Sequence, residues 1–174
     1  MNIEISGKVS SILAHKETFP IWSIGPNATV FDAIQLMDGK NVGALPVVDN
    51  KTLVGIVSER DYIRKVIMKG KSPKNTPVSD IMTKQVLTVN PSNSVTECMR
   101  IMTERRVRHL PVLEGTKLVG ILSIRDVVNW LMSAQKATID NLLLDCHGSS
   151  PFEKFGRGGL GLSGGLACPA ANMC

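Results

Sequence analysis

Hydrophobic and polar positions along the chain follow a pattern that occurs twice. Residues 26–61 (PNATVFDAIQLMDGKNVGALPVVDNKTLVGIVSERD) align without a gap on 91–126 (PSNSVTECMRIMTERRVRHLPVLEGTKLVGILSIRD) at an offset of 65, with 14 identities in 36 positions. In the first copy Val30, Ile34 and Met37 recur at the three- and four-residue spacing of an amphipathic helix, as do Val95, Met99 and Met102 in the second. Short apolar runs at Ala44–Val48 and Leu110–Leu113 predict strands. Asp49-Asn50 and Glu114-Gly115 supply turn residues, and Leu53–Val57 and Leu118–Leu122 complete two hairpins. A helix follows each hairpin, from Glu59 to about Met68 and from Ile124 to about Gln135, with Ser58 and Ser123 at the N-cap. Trp22–Ile24 and Val86–Val89 read as short opening strands. Upstream, VSSILAHK at 9–16 echoes VSDIMTKQ at 78–85, and a short insertion around Phe19 breaks the register.

A unit this small buries too little surface to be stable alone. Two stacked copies bury their sheets against each other. The expected fold is therefore α/β (α+β): two tandem βαββα repeats related by a pseudo-two-fold axis, with their sheets facing. Repeat one is expected over 9–69, an exposed linker over 70–77 (GKSPKNTP) and repeat two over 78–141. The glycine-rich segment 142–174 has no helix or strand period and is expected to be disordered. Its GRGGLGLSGG lacks the strand–loop–helix context of a phosphate loop.

Composition makes the core aliphatic, since hydrophobic residues are 43% of the chain and aromatics 4%. No apolar run reaches the roughly 18 residues of a membrane span, so a soluble protein is expected. The first ten residues carry no basic stretch followed by an apolar one, which points to the cytoplasm and reduced thiols. Cys98, Cys146, Cys168 and Cys174 are not in paired-ligand spacing, so no metal site is expected. Cys98 falls where a helix needs a small buried hydrophobe.

The net charge is +5, with basic clusters at Arg64, Lys65, Lys69, Lys71 and Lys74 and at Arg100, Arg105, Arg106 and Arg108. The linker cluster reads as a solvated face. Nucleic acid is not expected, because neither interleaved aromatics nor a recognition motif accompanies these residues. His15, His109 and His147 form no metalloprotease motif, and no Gly-x-Ser-x-Gly elbow occurs. Asp61 and Asp126 would belong to two separate, equivalent sites. Duplicated carboxylates without a nucleophile indicate binding, so no enzymatic activity is expected.

The most informative block is a repeated Gly-h-h-Ser-x-Arg-Asp, at 55–61 and 120–126. A strand ends, a hydroxyl stands at the start of a helix, and a carboxylate lies in the first turn. Such a helix start attracts anions, and a carboxylate can accept both hydroxyls of a ribose. The same residues also make an ordinary helix cap. The residues alone leave both uses open.

With its Leu-Pro-Val strand, Leu-Val-Gly-Ile strand and Ser-x-Arg-Asp, each copy resembles the CBS (cystathionine-β-synthase) domain. Residues 9–135 look like one tandem CBS pair, a Bateman module of the stand-alone kind. The resemblance implies a regulatory, non-catalytic module that binds an adenosine nucleotide (AMP, ADP or ATP) in clefts between the repeats. No obligatory cofactor is implied. It implies that Asp61 and Asp126 hold ribose and that Ser58 and Ser123 contact ribose or phosphate. Arg108 and His109 would reach phosphate in the cleft that contains Asp61; their counterparts are Gly43 and Ala44. The Asp126 cleft would then draw its charge from Arg125 or Arg60. Trp22 either stacks on adenine or fills core. A homodimer and an unidentified regulated partner are also implied. The competing readings are a ligand-independent dimeric interaction module and a sensor of S-adenosylmethionine or NAD(H).

Overall fold

The computed structural model describes residues 7–16 and 20–133, which lie in one compact unit ending at 135. The expectations for the insertion around Phe19, for Cys146, Cys168 and Cys174, and for the tail at 142–174 lie outside the described residues. So do the last residues of the final helix and of repeat two. Among the described residues no helix is long and apolar enough to cross a membrane.

The chain runs α1 (Val9–His15), α2 (Val30–Lys40), β1 (Ala44–Asp49), β2 (Thr52–Ser58) and α3 (Glu59–Lys65). After α3 come two single 3-10 turns, Ile67–Lys69 and Val78–Asp80. Then follow α4 (Val95–Arg105), β3 (His109–Glu114), β4 (Lys117–Ser123) and a last helix, α5, over 124–133. The architecture is α+β, with two small antiparallel hairpins.

Local chemistry explains most boundaries. Thr29 and Asp32 form a reciprocal cap that starts α2, the Thr29 hydroxyl donating to the Asp32 carboxylate at 2.6 Å and accepting from its N–H at 3.1 Å. Ser94 caps α4 by accepting from the Glu97 N–H at 3.1 Å. Both helices end on a left-handed residue, Asn41 at φ 52° and Arg106 at φ 53°. Each helix buries one stripe: Val30, Ala33 and Met37 in α2, and Val95, Cys98 and Met102 in α4. Ile34 and Met99, which the spacing favours, only flank the cores, while the smaller Ala33 and Cys98 face inward. Burial, with a contribution from Glu97, pushes the Cys98 thiol up to about 11, so it behaves as a small hydrophobe.

The hairpins match residue for residue. Ala44 pairs with Ser58 and His109 with Ser123, and each hairpin carries one irregularity, after Val47 and after Val112. The expected opening strands are reduced to single parallel bridges, Ile24 to Val47 and Val89 to Val112. Pro26 and Pro91 follow within two residues and begin a turn, which leaves no length for a strand.

The two cores do not divide as the sequence repeats do. Val9 and Ile12 of α1 lie in the second core, with Val89, Val95, Leu110 and Leu122. Val78 and Ile81 lie in the first core, with Val30, Met37, Leu45 and Val57. The exchange is nearly symmetric in its hydrogen bonds. The Val9 N–H donates to Asn93 O at 3.0 Å and the Val95 N–H to Gly7 O at 2.9 Å. In the first core the Val78 N–H donates to Ala28 O and the Val30 N–H to Thr76 O, both at 2.9 Å. The bridging segment is therefore more than a solvated linker: Thr76 is buried, and its hydroxyl donates to Ser72 O at 2.8 Å. The hairpins approach each other along β2 and β4.

Candidate functional site

Ser58 and Ser123 each end a strand and cap a helix. The Ser58 hydroxyl donates to Asp61 Oδ2 at 2.7 Å, and the Ser58 N–H donates to the same oxygen at 3.0 Å. At the second position the Ser123 hydroxyl and N–H reach Asp126 Oδ2 at 2.6 and 2.7 Å. The Asp N–H groups return a bond to each serine oxygen, at 3.4 Å for Asp61 and 3.2 Å for Asp126. Both blocks are thus capping boxes, the local use that the residues alone allow.

A carboxylate has about four acceptor positions, so capping leaves some of them uncommitted. The two aspartates spend the remainder differently. Asp61 Oδ1 meets Lys65 Nζ at 2.7 Å, an i,i+4 pair, and Lys65 also donates to Ile81 O at 2.6 Å. Lys16 of the exchanged segment reaches Asp126 on the already engaged Oδ2, at 2.9 Å, and donates to Ile121 O at 3.1 Å. Asp126 Oδ1 has no protein partner among the described residues. Burial works to raise the Asp126 carboxyl, but the Ser123 bonds and the Lys16 ammonium outweigh it and hold it below the ordinary carboxylate range.

His109 starts β3 opposite Ser123. Its ring also lies against Gly43, where an added Cβ would stand 3.6 Å from its Cε1. Burial lowers the His109 imidazole, the Asp126 carboxylate works to raise it, and Lys16 and Arg108 add to the lowering. His109 therefore lies close to the carboxylate of its own repeat while touching the other repeat at Gly43, just before β1.

Arg60, at the start of α3, and Arg108, before β3, line one cavity with Arg106, Met102, Thr103, Val107 and Ile124. Its volume is about 240 Å³. That is below the roughly 300–1,000 Å³ that takes a whole drug-sized ligand, so it suits part of one. The structure thus brings Arg60 and Arg108 together and adds Arg106, which charge patterning places only in a basic cluster. Arg125 is exposed on α5 and is not among the cavity-lining residues. Arg106 sits in the left-handed region, which costs a residue other than glycine about 1–2 kcal/mol. Trp22 is half-buried against the first core, with Lys40 Nζ 4.2 Å from its ring centroid.

Lys16, Lys65 and Arg106 also belong to this region, although the repeated block does not include them. Lys65 has a signal, its i+4 offset from Asp61. Arg106 has one too, because it aligns with Asn41 at a helix end. Lys16 has none, being 110 residues from its partner.

The family model described as "CBS domain" matches residues 9–67 and 78–133. A CBS domain-containing mitochondrial protein of Arabidopsis thaliana, CBSX3, is 42% identical over 119 residues, which is 66% of this chain. The chain spans 58% of that relative's length. Among solved structures, a CBS-domain protein of Burkholderia ambifaria is 48% identical with a TM-score of 0.72, over 74% of this chain and 96% of that one. The CBS domain pair of protein MJ0100, solved in complex with 5′-methylthioadenosine and S-adenosyl-L-methionine, is 25% identical with a TM-score of 0.65, over 74% of this chain and 98% of that one. With two family matches that together cover more than half of it, and a fold of two paired hairpin units, this chain belongs to the CBS domain family as a tandem CBS pair.

Proposed function

We propose that the protein is a non-catalytic regulatory module that binds an adenosine nucleotide between its repeats and so modulates a partner protein. The observation that carries this is the cavity that three arginines and Ile124, at the start of α5, line. Asp126, in the first turn of the same helix, has one oxygen without a protein partner among the described residues and so open to ribose hydroxyls. Ser58, Asp61, Ser123, Asp126, Arg60, Arg108 and His109 form the binding region in this reading, with Arg125 and Trp22 at its margins. The adenosine compounds bound by the MJ0100 pair support the ligand class. Action in the cytoplasm belongs to the same reading.

Ligand binding to the folded state alone adds about 2.7 kcal/mol of stability at 100 times the dissociation constant. A thermal-shift series with AMP, ATP, S-adenosylmethionine and NADH on the purified chain reads this directly. Asp126→Asn keeps the acceptor toward Ser123 but puts an amide donor where the free oxygen stands, so the shift should shrink. If no adenosine compound raises Tm, the reading fails. Turnover of a nucleotide would overturn its non-catalytic part.

A dimeric interaction module is the second reading, favoured by exposed apolar side chains at equivalent positions. Ile63 and Ile67 are 53% and 51% exposed, and their counterparts Val128 and Met132 are 45% and 64%. Two such stripes suit a self-complementary contact. Sedimentation of the wild type and of Ile63→Glu plus Val128→Glu tests it: a dimer that dissociates in the variant supports it, and a wild-type monomer rejects it.

A further inference from the structure

The segments VSSILAHK at 9–16 and VSDIMTKQ at 78–85 take equivalent places against the two hairpins and then part. Leu13 of α1 lies against Gly120 of β4, and its counterpart Met82 lies against Gly55 of β2. One residue on, Thr83 has left its single 3-10 turn and pairs with β2. Its N–H donates to Ile56 O at 2.8 Å, and its carbonyl accepts from the Ile56 N–H at 3.0 Å. The counterpart Ala14 is still inside α1, and among the described residues no bridge joins it to Ile121. Ile121 O accepts instead from Lys16 Nζ, at 3.1 Å. One ammonium thus stands in for a backbone bridge and also meets the Asp126 carboxylate.

Three features make this arrangement easy to undo. Asp126 Oδ2 accepts from the Ser123 hydroxyl, the Ser123 N–H and Lys16 at 2.6, 2.7 and 2.9 Å, three donors where one oxygen offers two lone pairs. Asp61 spreads the same load, with Ser58 on Oδ2 and Lys65 on Oδ1. The Lys16 bond is the longest of the three and comes from a side chain 42% exposed, so it yields first. A helix of seven residues owes its form to packing, not to intrinsic propensity. Finally, Trp130, beside His15 and beneath Gly7, buries its indole N–H without a partner among the described residues. A buried unpaired donor is a cost carried by the docked N-terminal segment, and it narrows the gap to another arrangement.

We propose that the last turn of α1 is a latch on Asp126. With Lys16 on the carboxylate, residues 13–15 are helical. A ligand whose vicinal hydroxyls take the carboxylate displaces Lys16, and Ala14 then pairs with Ile121 as Thr83 pairs with Ile56. Occupancy of the second repeat is so passed to the segment that leads into the first, as a shift between two populations. The ligand half of this inference rests on the function proposed above; the conformational half does not.

NMR Cα chemical shifts of residues 13–15, read on the full chain, test it in the wild type, Lys16→Met, Asp126→Asn and a charge control, Lys71→Gln. The wild type should show helical values. Lys16→Met removes the ammonium and Asp126→Asn its counter-charge, so each should move the three residues toward extended values, while Lys71→Gln should not. Adenosine, which has the ribose and no phosphate, should move the wild type in the same direction. It should bind Lys16→Met about threefold more tightly, the worth of one partly exposed ion pair that no longer competes. Shifts that respond to both variants without adenosine binding to any form would support the latch while rejecting the ribose reading. The inference is overturned if the three residues stay helical in both variants, if the control moves them as much, or if adenosine binds and leaves them unchanged.

Discussion

In repeat one the Asp61 carboxylate is neutralised by Lys65, four residues along its own helix, whereas the equivalent Asp126 of repeat two is met by Lys16 from a distant segment. Where repeat one has Lys65, repeat two has Trp130, whose ring packs into the second core and lies 5.6 Å from that of His15. Trp130 takes the place of a charge with packing, so α1 must bring both the apolar cover and the missing ammonium. One cap is therefore completed locally, and the other only after α1 has docked. The helix ends show a parallel contrast, Asn41 and Gly43 against Arg106 and Arg108. A duplicated scaffold thus carries different chemistry at equivalent places.

The strongest test asks whether the scaffolds are equal. Leu45 and Leu110 are equivalent and fully buried, one in each core. Replacing either with alanine should cost about 2–5 kcal/mol in denaturant unfolding. Closely matched values would support the symmetry; values more than about 2 kcal/mol apart would break it, since that approaches the whole spread at fixed chemistry.

A smaller contrast lies at the glycines of β2 and β4. A Cβ on Gly55 would stand 2.5 Å from Met82 Sδ and 3.2 Å from the Thr83 carbonyl oxygen. On Gly120 it would meet the Leu13 methyls, the nearer at 2.8 Å. Leucine methyls can turn away but a hydrogen-bonded carbonyl cannot, so Gly55→Ala should lose about 1–3 kcal/mol and Gly120→Ala less. Equal losses would show that α1 is held as rigidly as the segment at 78–83.

Ser58→Ala and Ser123→Ala should each cost about 1 kcal/mol, the usual worth of a helix cap. Lys16→Met should cost well under 1 kcal/mol, because its side chain is 42% exposed and screened by solvent. It should nevertheless raise the Asp126 titration seen by NMR, while Lys65→Met leaves Asp126 in place. Since the folded Asp126 carboxyl is depressed, its stabilisation is present above the unfolded value near pH 4 and is lost as pH falls through the folded value. Lys16→Met should weaken that acid-side slope.

The last effect concerns His109. Burial holds its imidazole below the ordinary value of about 6.5, so the unfolded chain binds a proton more readily there. Stability should be full above that value and fall as pH drops through it toward the folded one. His109→Gln should flatten this part of a stability–pH profile. Ala44, the counterpart, offers no such group, so an unchanged profile would mean that His109 is solvated like any surface residue.

Much of the fold is legible in the amino-acid pattern. The helices at Val30 and Val95, both hairpins and both serine caps follow from period, turn residues and i,i+3 spacing. The opening strands are legible only as apolar runs, because a proline two residues on cuts each to one bridge. The binding region is legible as residue types in a repeated block. Its partition is not: that Asp61 is closed by Lys65 while Asp126 keeps an oxygen unpartnered among the described residues depends on which cation reaches which carboxylate.

Local pattern alone establishes that one unit occurs twice, where its helices begin, and that Arg106, Arg108 and His109 belong to the second copy and have no basic counterpart in the first. These are properties of neighbours within a turn or a hairpin, where short-range hydrogen bonding and steric preference decide the outcome. Long-range packing alone assigns α1 to the second core and the segment at 78–81 to the first, and brings Lys16 to the cap of Asp126. VSSILAHK and VSDIMTKQ are alike enough to fit either core. The choice between them is made by chain connectivity and by burial of surface far apart in sequence, which no local pattern records.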